Sequence, residues 1–237
     1  MSTVIHGKTV YTELDEILHP DHTALVVVDM QNDLCLPNVG WGTKADISMV
    51  REIIPPLRGL VDAARDHRVP VIWLQMVWRA GEGYRSVSPA YLRFFIYKCG
   101  FAPGEKVMEE GTWGAQNIPE LEVRPGEAVI QKARSSGFVG TDLDLLLRSN
   151  GVKTVVITGI ATQACMESTL RDALGYDYYT VLVRDCVAAY RKDLHDASLK
   201  ILETMADVVP AARVAETWTR ARGAALTAAR GQAGART

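Results

Sequence analysis

The chain has 237 residues, 48% of them hydrophobic and 23% charged, with a formal net charge of −2. This is ordinary globular composition, which excludes a disordered or fibrous chain and offers nucleic acid no electrostatic attraction. The sequence contains no apolar run of about 18 residues to span a membrane, and its four scattered cysteines form no CxxC pair that would suggest a zinc site or disulfide framework.

The N-terminal segment MSTVIHGKTVYTELDEI lacks the apolar core of a secretory signal. A reducing cytoplasm, where free thiols persist, is therefore the expected location. TALVVVDM (23–30) is a short apolar run with an acid near its end, and predicts a buried strand. A Pro- and Gly-containing loop follows, and residues 46–67 have helical spacing with Asp46 as N-cap. Pro55 and Pro56 should kink or interrupt that helix. VPVIWLQMVW (69–78) predicts a second strand. Residues 79–125 form a long irregular stretch with one apolar segment, AYLRFFIYKC, and loops of this length are often functional.

EAVIQK (127–132) is a third strand, and residues 141–151 predict a helix capped by Thr141 and closed by Gly151. Strand 152–159, helix 162–177, strand 179–186 and helix 193–207 complete the alternation, with a short sixth strand in VVPAARV (208–214). Alternating strands and helices predict a parallel sheet covered on both faces. No internal boundary interrupts residues 1–218, which read as one domain. The Ala-, Arg- and Gly-rich tail, 219–237, reads as a frayed helix or disordered extension that serves, if anything, in oligomer contacts.

Ligands of parallel α/β sheets bind at the carboxyl ends of the strands. Three of those ends carry reactive groups: Asp29 after the first strand, Lys132 ending the third, and Cys165 in GIATQAC after the fourth. Each alone reads more simply as a turn former, a solvated cation or a packed thiol. Together they form a coherent set. A thiolate is the nucleophile, and its pKa falls at a helix N-terminus or beside a cation, so Cys165 is expected to be activated by the helix and by Lys132. Asp29 is the natural proton acceptor. Backbone N–H groups at the helix start would bind an oxyanion.

Three blocks carry a family likeness: TALVVVDMQNDL (23–34), VIQKARSSGF (129–138) and VVITGIATQACMESTLRDALGYDYYTVLVRDC (155–186). The sequence resembles the isochorismatase-like cysteine hydrolases over residues 23–210. The resemblance implies a three-layer α-β-α fold with a six-stranded, mainly parallel sheet. It also implies a catalytic triad of Asp29, Lys132 and Cys165. Family members carry a cis peptide that here would join Ile160 to Ala161, directing the Ala161 N–H, with that of Cys165, at the substrate oxyanion.

Within this family, isochorismatases proper lack the nucleophilic cysteine. Metal-bound nicotinamidases carry histidines after the second strand, where WLQMVWRAGEGYRS (73–86) has none. No metal or cofactor is therefore expected. The resemblance is nearest to ureidoacrylate and N-carbamoyl amidohydrolases, which implies hydrolysis of a small ureido, carbamoyl or amide substrate. It also implies a homodimer or homotetramer. Other hydrolysis of the isochorismatase type, a catalytically silent binding scaffold and a redox-sensing thiol are the alternatives.

Trp41, Trp78, Trp113 and Phe138 are candidates for flat pocket walls. Gln75 is a candidate for bonding a urea group, and Arg79, Arg85 and Arg93 for holding a substrate carboxylate. Asp33 reads as a turn former, Arg171 and Asp172 as members of structural salt bridges, and Asp185 as a supporting or turn residue. None of the five histidines lies in the matching blocks.

Overall fold

The structure, a computed structural model, describes residues 2–234. A short antiparallel hairpin, β1 (Thr3–Ile5) and β2 (Lys8–Val10), precedes the main sheet. That sheet contains β3 (Thr23–Val28), β4 (Val71–Met76), β5 (Ala128–Lys132), β6 (Thr154–Ile160), β7 (Tyr179–Ala188) and β8 (Asp207–Val209). Their order is β5-β4-β3-β6-β7-β8, and every pairing is parallel.

All six residues of β3 are buried, as a central strand covered on both faces requires. Successive side chains alternate between the faces. Leu25 and Val27 join one hydrophobic core with Leu57, Trp73, Val181 and Trp218. Val26 and Val28 join a second with Leu74, Leu147, Ile157 and Leu170. Helices α1 (Ile54–Asp66) and α6 (Ala211–Gly234) supply the first face. Helices α3 (Leu143–Ser149), α4 (Glu167–Gly175) and α5 (Lys192–Leu202) supply the second. Helix α2 (Pro89–Cys99) lies within the long connection between β4 and β5.

Several local expectations shift. The helix predicted over 46–67 is two: a turn at Ser48–Glu52 and then α1, with Pro55 and Pro56 in the first turn of α1, where their missing N–H groups break no bond. Asp46 is not the N-cap. Ile47 occupies that position, and Asp46 Oδ1 accepts from the Ser48 N–H at 2.9 Å. Thr141 also sits one residue early: Asp142 is the N-cap of α3, and Thr141 Oγ1 accepts from the Leu143 N–H at 3.2 Å. The last strand ends at Val209, because Pro210 and Ala211 turn the chain into α6.

Thr219 is an interior position of α6, whose anchor is the fully buried Trp218; its Nε1 donates to Leu18 O at 3.1 Å. The expected tail is thus helical to Gly234, and residues 235–237 lie outside the described ones. No helix among the described residues is long and apolar enough to cross a membrane.

Candidate active site

The connections run outward from β3 in one direction through β4 and β5, then return to β6 and run outward in the other. The order therefore reverses between β3 and β6, and at such a switch point the loops leaving the strand ends diverge and open a crevice. Asp29 follows β3 there, and the Ile160–Ala161 step leaves β6 beside it. Gly159 makes the close approach: its φ is +101°, and a Cβ on it would lie 2.1 Å from Val28 O. Asp29 itself sits at φ 54°, a conformation uncommon for a residue with a side chain and concentrated at functional sites. The Ile160–Ala161 peptide is cis.

Asp29 and Lys132 are each 1% exposed. Asp29 Oδ2 accepts from Lys132 Nζ at 2.8 Å, and Oδ1 accepts from the Met76 N–H at 3.1 Å. Lys132 Nζ also donates to Arg134 O at 3.2 Å. Burial alone would drive the ammonium toward its neutral form; the Asp29 carboxylate, and then Cys165, outweigh it and raise the Lys132 pKa.

Cys165 lies half-buried on a π-helical turn, Thr162–Met166, that leads into α4. Its thiol interacts electrostatically with both Asp29 and Lys132. The expectation of a depressed thiol pKa is overturned. Burial, and next the Asp29 carboxylate, push it up to about 12, with Lys132 opposing them. The single ammonium offsets one anion and not two, so the resting proton stays on sulfur.

Several residues outside the predicted set position this group. Gln31 is fully buried; its Nε2 donates to Met76 O at 2.9 Å and to Ala115 O at 2.8 Å, while its Oε1 accepts from the Met76 N–H at 2.9 Å. It binds the ends of β3 and β4 to the 113–115 turn. Thr162 Oγ1 shares a hydrogen bond of 2.8 Å with His195 Nδ1, and Ser198 Oγ donates to Thr162 O at 3.3 Å and to the Glu167 carboxylate. Thr169 Oγ1 donates to Cys165 O at 2.7 Å and accepts from the Gly137 N–H at 2.9 Å. For His195 and Ser198 the sequence signal is a polar residue on the otherwise apolar buried face of α5.

A cavity of about 680 Å³ opens over the group, lined by Asp29, Trp41, Lys98, Ala161, Gln163 and Tyr190 among others. Trp41 stacks on Tyr190 with ring centroids 5.2 Å apart, and Tyr190 Oη donates to Leu34 O at 2.9 Å. Helix α2, from the stretch expected to be irregular, contributes Phe94, Lys98 and Cys99.

Of the predicted wall residues, the structure brings only Trp41 to this cavity. Gln75 Nε2 is taken up by Asn117 Oδ1 at 2.7 Å, and with the 54%-exposed Trp113 it borders a different depression. Trp78 is buried edge-on against Phe95 at 4.7 Å, and Phe138 is buried against Tyr176 at 5.2 Å. Arg79, Arg85 and Arg93 are not among the lining residues, and Arg93 lies over the Tyr97 ring.

Asp33 does more than form a turn: its Oδ2 accepts from the Met108 N–H at 2.7 Å. Arg171 pairs with Glu167 at 2.9 Å, whereas Asp172 makes no side-chain ion pair among the described residues. Asp185 Oδ1 accepts from the Ala211 N–H at 2.8 Å, at the start of α6. No three His, Cys, Asp or Glu side chains among the described residues are grouped to hold a metal ion.

A buried acid–lysine pair and a thiol at the switch point of a doubly wound parallel sheet define an α/β protein built to act on a small molecule. Residues 23–213 match the Isochorismatase domain, and the chain belongs to this family of hydrolases. It is similar to an isochorismatase family protein of Desulfovibrio vulgaris, with 28% identity and a TM-score of 0.72 over 84% of this chain and 99% of that one. A cysteine hydrolase of Pseudomonas syringae has 26% identity and a TM-score of 0.74, over 86% and 95% of the two chains. An N-carbamoylsarcosine amidase of Thermoplasma acidophilum has 27% identity and a TM-score of 0.61, over 80% and 96%.

Proposed function

We propose that this chain is a cysteine amidohydrolase that cleaves the C–N bond of a carbamoyl, ureido or amide compound without a metal. The observation that carries this reading is the buried Asp29–Lys132 ion pair at 2.8 Å, with the Cys165 thiol in electrostatic contact with both members. Its likeness to a cysteine hydrolase and to an N-carbamoylsarcosine amidase supports it.

Substrate binding sets the carbonyl carbon beside Cys165 Sγ. The thiol proton passes to Asp29 as sulfur attacks, so that no free thiolate accumulates beside the carboxylate. The N–H groups of Ala161 and Cys165 receive the oxyanion, and preorganised donors of this kind stabilise the tetrahedral state strongly. As the C–N bond breaks, Asp29 hands its proton to the departing nitrogen, which leaves as ammonia or an amine. Water then gives a proton to Asp29 and attacks the thioester. The C–S bond breaks, and the proton returns to sulfur. Lys132 stays an ammonium throughout and balances whichever anion is present.

A redox-sensing role fits less well. Oxidation-prone cysteines are low-pKa thiolates, whereas the resting Cys165 thiol is pushed up to about 12. The test is ammonia release from ureido acids, N-carbamoyl compounds and simple amides by the wild type and by Cys165→Ala. Loss of all release in the variant is expected; full retention would overturn the reading.

A further inference from the structure

The cavity bordered by Asp29, Ala161 and Ala164 carries chemistry that the hydrolytic group does not use. Its volume, about 680 Å³, lies within the range of roughly 300–1,000 Å³ that accommodates ligands of drug size, far more than a carbamoyl group fills. Two of its polar side chains, Gln163 and the exposed Lys98, are available to a ligand.

The first is Gln163, two residues before Cys165. Its Oε1 is buried and has no hydrogen-bond partner. A buried acceptor without a donor is unfavourable, and the N–H of a carbamoyl or carboxamide group is the donor that the reaction brings to this place. The second is Lys98, exposed near the C-terminal end of α2. The other cations of the lining are already matched: Lys44 Nζ lies 3.1 Å from Glu105, and Arg191 Nε lies 3.0 Å from Asp193. The Asp29 carboxylate is matched by Lys132. Among the described residues Lys98 has no carboxylate within ion-pair distance, so the lining has an unmatched positive charge. The same lining carries the aromatic side chains of Trp41, Tyr190 and Phe94.

We propose that the substrate is an elongated carbamoyl or carboxamide compound. Its N–H donates to Gln163 Oε1, an apolar body lies along Trp41, Tyr190 and Phe94, and a terminal carboxylate meets Lys98. This rests on the amidohydrolase reading and narrows it to substrates much longer than urea or biuret.

Three probes separate the parts: N-carbamoyl-phenylalanine, N-carbamoyl-phenethylamine, which keeps the body without the carboxylate, and N-carbamoylglycine, which keeps the carboxylate without the body. Ammonia release is measured for the wild type, Lys98→Gln and Gln163→Leu. Binding of the same probes to Cys165→Ala is measured by calorimetry. The wild type should prefer N-carbamoyl-phenylalanine by about tenfold in kcat/KM over each of the others. Lys98→Gln should remove the preference for the carboxylate through KM. Gln163→Leu should weaken every probe without lowering the thermal midpoint, whereas a purely structural glutamine would lower it.

Turnover of all three probes at equal efficiency, or a carboxylate preference unchanged in Lys98→Gln, overturns this inference and leaves the amidohydrolase reading standing. Binding to Cys165→Ala in the predicted order, with no ammonia released by the wild type, overturns the hydrolytic reading instead. Neither binding nor turnover overturns both.

Discussion

At the scale of single residues, the protonation of the thiol governs the chemistry. Cys165 is pushed up to about 12, first by burial and second by the Asp29 carboxylate. Iodoacetamide labelling of Cys165 in the free protein should therefore stay slow at pH 7–8 and accelerate only in strongly alkaline solution. Rapid labelling at pH 7, followed by peptide mapping, would contradict this. The buried ion pair makes a second prediction. Removing one partner leaves an uncompensated charge, which typically costs about 3–5 kcal/mol. Lys132→Met should lower unfolding free energy by that order, and Asp29→Leu combined with Lys132→Met should recover part of the loss in a denaturant titration. A double variant less stable than the sum of its singles would contradict the pairing. Asp29, Lys132 and Cys165 were legible in the sequence because each terminates or follows a strand. The sign of the thiol shift was not: the sequence suggests a cation, an acid and a helix around the thiol, but burial and the balance between the two charges are properties of the assembled site.

At the scale of elements, two local devices hold the nucleophile in place. The first is the contact between the ends of β3 and β6. Gly159 stands at φ +101° with Val28 O where a Cβ would be, so Gly159→Ala should cost more than about 2 kcal/mol through strain and overpacking. A midpoint within error of the wild type would show that β6 does not need this approach. The second is the π turn, which Thr162, His195 and Ser198 hold against α5.

The His195 pKa is lowered, chiefly by burial, with Lys192 and Arg184 acting in the same direction and Asp196 against them. The folded state thus prefers the neutral imidazole, while the unfolded chain takes up a proton near pH 6.5. The stability this contributes is present above that pH and declines as pH falls toward the lower folded value. Urea midpoints from pH 8 to pH 5 should show the decline, and His195→Gln should flatten it. An equal slope in the variant would assign the decline to other groups.

The sequence pattern over 162–177 reads as one continuous helix. The π turn at its start depends on bonds from α5, more than thirty residues away, and has no local signature. The interruption of the 46–67 helix, by contrast, was legible in Pro55 and Pro56.

At the scale of the whole molecule, the parallel sheet was readable because each strand is a short apolar run between helical spacings. The order β5-β4-β3-β6-β7-β8 then places Asp29 and the 160–165 segment on either side of one crevice. The pocket walls were much harder to read. An aromatic residue in a core and one in a wall have the same composition, and only tertiary placement sends Trp41 to the cavity while burying Trp78 and Phe138. Gln75 was misread for a related reason: its strand position is close to the site, but Asn117, 42 residues later, takes its amide.

The central claim is that Cys165 forms a covalent acyl intermediate. The most direct measurement is intact-protein mass spectrometry after acid quench during turnover of N-carbamoyl and carboxamide compounds, followed by peptide mapping. A mass increase equal to the acyl group, located on Cys165 and absent from Cys165→Ala, is the predicted result. Continued hydrolysis by Cys165→Ala, with no acylated protein at any quench time, would contradict it.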